Sequence, residues 1–72
     1  MPPKAIDVII GRNLAAHRAE IGLPINEVAA VLGMSTIQYW EAESGRRRLT
    51  AEQLLAVARL LGIGISSLFD GL

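Results

Sequence analysis

Seventy-two residues with no cysteine and a single histidine allow one small domain at most, with no disulfide framework and no clustered zinc ligands. About half of the residues are hydrophobic and only three are aromatic, so the core must be built from Leu, Ile, Val and Ala, which favours helix over sheet. The formal net charge is zero but unevenly spread: residues 24–45 hold Glu27, Glu41 and Glu43 without a base, and Arg46-Arg47-Arg48 follow as one focused basic spot.

In chain order, Ala5 to Ile21 predicts a first helix with Ile6, Ile10, Leu14, Arg18 and Ile21 along one face. A second runs from Ile25 to Leu32, using Ile25, Val28, Ala29 and Leu32. The third opens at Ser35 with Gln38 three residues on, a capping-box pattern, and ends near Glu43. Thr50 and Gln53 repeat that device for a fourth helix carrying Leu54, Leu55, Val57, Ala58 and Leu61. A short fifth, about Ser66 to Asp70, buries Leu68 and Phe69. Gly22, Gly33, Gly45 and Gly62 follow these stretches where left-handed helix stops belong. Nothing alternates with period two. The expectation is one all-α domain over residues 1–72, a compact bundle of five short helices.

No apolar run approaches the ~20 residues of a bilayer-spanning helix. Met1-Pro2-Pro3-Lys4 and the Ala5–Arg12 stretch behind it are too short and interrupted for a secretory leader. A soluble cytoplasmic protein with no membrane contact is expected. An enzyme is not: there is no Cys and no glycine-rich phosphate loop after a strand. Glu41 and Glu43, two apart on a helix, point in different directions. No metal and no cofactor are expected.

Helices two and three meet at Leu32-Gly33-Met34-Ser35, a tight glycine-containing turn of the helix-turn-helix kind. Around it, Gly11-Arg12, Arg18 before Gly22-Leu23, Ala29 facing Gly33, the Ser35 cap and Glu43-Ser44-Gly45-Arg46 occur in order. Ala58-Arg59-Leu60-Leu61-Gly62-Ile63 and Leu68-Phe69 complete the series. From Gly11 to Phe69 the chain resembles the Cro and phage-repressor (XRE-type) helix-turn-helix family. The resemblance implies a lambda-repressor-like DNA-binding fold with the motif at helices two and three. It departs from the family at Pro24-Ile25, where a Ser-Gln type pair is usual, and at Gly64, where a Ser or Thr cap is usual.

The resemblance also implies roles. Arg18 and Glu43 match the family's partly buried ion pair, a structural feature. Thr36, Ile37, Gln38, Trp40 and Glu41 fall at positions facing the major groove, with Tyr39 and Ala42 turned inward. Thr36 can donate or accept, Ile37 can touch a thymine methyl and Glu41 can accept from a cytosine amino group. Gln38 is shared between cap and base contact. Arg46, Arg47, Arg48, Arg12, Asn13 and Ser44 are the candidate phosphate contacts, which orient a protein on DNA without reading sequence. A homodimer on a pseudo-palindromic operator follows from the family pattern. Ile63, Ile65, Leu68 and Leu72 form its candidate seam, and Ile6, Val8 and Ile9 a second.

A rival reading keeps the fold and drops the DNA. The third helix has no Lys or Arg, and Ile25, Ile37 and Trp40 beside two acids resemble a protein-binding hot spot. An anti-activator or antitoxin-like module would dock a protein partner there. Partial burial of Trp40 against its own domain is the plainer alternative.

Overall fold

The computed structural model describes residues 4–72; Met1, Pro2 and Pro3, part of the stretch weighed above as a leader, lie outside them. Four α-helices, α1 (Ala5–Ile21), α2 (Ile25–Val31), α3 (Thr36–Glu43) and α4 (Ala51–Leu61), precede a 3-10 helix at Ile65–Phe69. No strand occurs among the described residues, and the all-α fold expected from the composition is what forms.

Local chemistry sets the boundaries. At α3 the Gln38 amide donates to Ser35 Oγ at 3.1 Å, while the Ser35 amide donates to Gln38 Oε1 at 3.0 Å. At α4 the Gln53 amide donates to Thr50 Oγ1 at 3.1 Å and the Thr50 amide to Gln53 Oε1 at 2.9 Å. Each reciprocal pair satisfies two amide donors that a helix start otherwise orphans. Helix α2 stops one residue short of the expected end, with Leu32 as its cap. Gly33 then takes φ +67°, and the Met34 amide returns to Ala29 O at 2.9 Å, closing the turn that aims α3.

The last element departs from expectation. It begins at Ile65, spans five residues and is 3-10 rather than α. Gly64 at its start offers no side-chain acceptor, and the segment is too short to reward the wider i→i+4 bonding.

The core centres on fully buried Tyr39, Leu14, Leu68, Val28 and Val57, joined by Ile10, Ala29, Leu32, Ala42, Leu49, Ala58 and Leu61. Two apolar stripes read from the sequence are wider than the surface available to cover them. On α1, Ile6 and Ile21 are 36% and 54% exposed, and on α4 Leu55 is 49% exposed. A chain this small has too few neighbouring elements to bury a stripe along its whole length.

Helix α1 crosses the end of α3 at two glycines. A Cβ on Gly11 would lie 2.5 Å from Ala42 O and 2.6 Å from Glu43 O. One on Gly45, already at φ +79°, would lie 2.8 Å from Val8 Cα. Backbone meets backbone at both places, so the absence of side chains fixes how closely α1 seats α3.

Candidate nucleic-acid interface

Helix α3 presents a divided surface. Tyr39 and Ala42 are buried, whereas Thr36, Ile37, Gln38 and Trp40 are exposed and Glu41 is half-buried. Ile37 is 72% exposed and Trp40 48%, so Ile37 stands free while about half of Trp40 is covered by its own domain and half faces outward. Gln38 spends its carbonyl oxygen on the cap and keeps its NH2 for other partners.

Two interactions hold α3 in place from behind. Arg18 of α1 grips Glu43 through two parallel bonds, Nε to Oε2 at 2.6 Å and Nη2 to Oε1 at 3.0 Å, while its Nη1 donates to Leu23 O at 3.1 Å. The side chains are 20% and 8% exposed, so the fork is largely withdrawn from water. The Glu43 carboxylate raises the Arg18 pKa further above its ordinary value. Beside the pair, the Tyr39 hydroxyl is buried without a hydrogen-bond partner. Burial drives the Tyr39 pKa above its usual range, and the nearby Glu43 charge adds to the rise.

The arginine loop continues directly from this helix. Arg46 donates its amide to Glu41 O at 2.9 Å, and the Arg47 guanidinium reaches back to Glu41 Oε1 at 3.1 and 3.3 Å. Arg48 instead bonds Asp7 in the first turn of α1, at 2.8 and 3.4 Å. The Asp7 carboxylate raises the Arg48 pKa. Arg46 forms no ion pair among the described residues. These pairs tether two guanidinium groups while leaving Arg47 and Arg48 41% and 56% exposed. The Arg48–Asp7 pairing was not visible in the sequence, since the two residues lie 41 apart.

The structure gives other candidates internal jobs. Asn13 donates its side-chain amide to Leu68 O at 2.8 Å and Asp70 O at 2.9 Å, so both hydrogens pin the carboxyl-terminal turn to α1. That engagement removes Asn13 from the phosphate set. Arg12, exposed on α1, extends toward the same turn, with Nη2 3.7 Å from where a Gly71 Cβ would stand. The Ser44 hydroxyl donates to Trp40 O at 2.9 Å and so closes α3, keeping its lone pairs free. Leu68 is fully buried and must be struck from the candidate seam; Ile63 is half-buried, while Ile65 and Leu72 are 37% and 67% exposed. Among the described residues no acidic, His or Cys cluster fits a metal, and no helix is long and apolar enough to cross a membrane.

Two short helices joined by a glycine turn, the second outward-facing and followed by arginines, define a helix-turn-helix domain of the DNA-binding regulator class. The chain belongs to the helix-turn-helix domain family, whose profile matches residues 9–66, in keeping with its resemblance to Cro and phage repressors. It is similar to the clp gene regulator ClgR from Corynebacterium glutamicum, with 27% identity over 93% of this chain and 71% of that one, at a TM-score of 0.85. The restriction-modification controller protein C.AhdI from Aeromonas hydrophila shares 27% identity over 92% of this chain and all of its own, at a TM-score of 0.82. The DNA-binding domain of BldD from S. venezulae, at 22% identity and TM-score 0.78 over 93% of this chain and all of its own, shares the fold. No curated protein matches the sequence.

Proposed function

We propose that this protein is a cytoplasmic, sequence-specific regulator of transcription, a repressor that binds a pseudo-palindromic operator as a homodimer. The observation that carries the reading is the continuity of α3 with the basic loop. Thr36, Ile37 and Trp40 stand outward, and Arg46 and Arg47 are bonded back to Glu41 at the end of the same helix. One surface thus offers contacts for base edges and charges for phosphates. Arg46, Arg47 and Arg48 are the principal phosphate contacts, Arg12 and Ser44 secondary ones. Ile65 and Leu72, flanked by Ile63, are the proposed dimer seam, with Ile6, Val8 and Ile9 the other available edge.

Binding measured by fluorescence anisotropy across a salt series tests this. Replacing Arg46, Arg47 and Arg48 by Ala should weaken binding to all duplexes and flatten the salt dependence by up to about three phosphate contacts. Unchanged affinity and slope in the triple variant would remove the basic loop from the interface.

The exposure of Ile37 and Trp40 favours one other reading, a protein partner docked on α3. Trp40→Ala separates the two: it should abolish binding to such a partner but change DNA affinity only modestly.

A further inference from the structure

Resting on the DNA reading above, we propose that α3 selects its site through C5-methyl groups in the major groove, those of thymine and of 5-methylcytosine alike. Helix α3 contains no Arg, Lys or Asn, and Gln38 is its one side chain of the kind that pairs two-pronged with a guanine or adenine edge. Its remaining polar readers are partly engaged. Gln38 holds the Ser35 amide with its carbonyl oxygen, and Glu41 holds two N–H groups of Arg47 on one carboxylate oxygen.

What faces outward is mainly apolar: Ile37, the most exposed large hydrophobic side chain of the described residues, and Trp40 three positions beyond it, with exposed Thr36 adding a methyl and a hydroxyl beside them. Thymine's C5-methyl is the apolar feature a base pair offers in the major groove. Methylation of cytosine at C5 places the same group at the same ring position. Sequence preference then arises where methyls meet Ile37 and Trp40, while the arginines supply affinity that no base change alters. Cytosine methylation within the site becomes a signal the protein responds to.

The test begins with a randomised duplex library, from which bound duplexes are selected and sequenced. The winning duplex is resynthesised with deoxyuridine replacing thymine at each consensus position, which removes the methyl and leaves every hydrogen bond of the base pair intact. Expected are thymines at the fixed positions and a loss of about fourfold per contacted methyl, equivalent to ~0.8 kcal/mol. At a contacted position changed to C·G, 5-methylcytosine should bind more tightly than cytosine by the same factor. Ile37→Ala, at an exposed site where folding is spared, should abolish the thymine–deoxyuridine difference at its own contact. Equal affinity of the wild type for thymine and deoxyuridine duplexes overturns the methyl readout while leaving DNA binding intact. Selection that enriches nothing above the starting library overturns the DNA reading itself, and the methyl readout with it.

Discussion

Gly11→Ala is the substitution for which general helix rules and this structure give opposite signs. Gly11 lies inside α1, where alanine is ordinarily the better helix former by about 1 kcal/mol. Here the new methyl would stand 2.5 Å from Ala42 O and 2.6 Å from Glu43 O. Ordinary carbon–oxygen contacts begin near ~3.3 Å, so α1 and α3 must part by roughly 0.8 Å at the crossing. Both opposing atoms are backbone carbonyls, so no rotamer change relieves the clash. Overpacking on this scale costs typically ~1–3 kcal/mol, and here it lies toward the upper end. After the gain in helix propensity, a net loss of about 1–2 kcal/mol is expected. At about 4–8 °C per kcal/mol for a domain of this size, Tm should fall by roughly 5–15 °C. Thermal and urea unfolding followed by far-ultraviolet circular dichroism would measure it. Ala16→Gly, at an exposed position of the same helix, serves as the propensity control and should lose about 1 kcal/mol. A Gly11→Ala variant as stable as the wild type, or more so, would refute the close approach of α1 to α3.

Glu43→Gln should destabilise by about 2–3 kcal/mol, because it leaves the largely buried Arg18 without its counter-charge; urea unfolding within 0.5 kcal/mol of wild type would mean the pair is effectively solvated. Tyr39→Phe should leave stability unchanged or raise it by ~1 kcal/mol, since the hydroxyl it removes is buried and unbonded. A loss above ~1 kcal/mol would instead place that hydroxyl in a bond with Arg18 or Glu43. With its folded pKa raised, Tyr39 stays neutral in the fold where the unfolded chain ionises, so stability is independent of this titration below the unfolded value near ~10 and falls as pH climbs above it. Wild-type stability should therefore decline by up to ~1.4 kcal/mol per pH unit from this group above that point, and Tyr39→Phe should lack this contribution. Thr50→Ala should cost about 1 kcal/mol by opening the capping box of α4, with Thr50→Ser nearly neutral as the check.

Features written in neighbouring residues were legible before any coordinates. Ser35 with Gln38 and Thr50 with Gln53 are local patterns that satisfy local amides, so they mark helix starts in sequence and in structure alike. Periodicity gave the direction of the apolar faces but not how far a neighbour covers them, which is why Ile21 and Leu55 lie more open than their spacing implies. Leu68 shows the converse: surplus apolar residues near the carboxyl end read as an exposed seam, yet the turn beyond Gly64 carries this one into the core. Apart from the Arg18–Glu43 pair, which the family resemblance implied, contacts between distant segments left no trace in the sequence. Asn13 bonding Leu68 and Asp70, Arg48 bonding Asp7, and Gly11 against α3 each depend on where α1 lands across the bundle. Glu41 changes character most. Sequence offers it as a base reader, while the fold gives its carboxylate to Arg47 and makes it the link between helix and basic loop.

The most direct measurement is a nuclear magnetic resonance titration of the uniformly labelled protein with a duplex spanning the DNA upstream of its own gene, recording backbone, indole and guanidinium signals. Perturbations concentrated at Thr36, Ile37, Trp40 and Arg46 to Arg48, with Ile65 and Leu72 quiet if dimerisation precedes binding, are expected. Shifts confined to surfaces away from α3 and the arginine loop, or none at all from a folded protein, would contradict the assignment of this face to DNA.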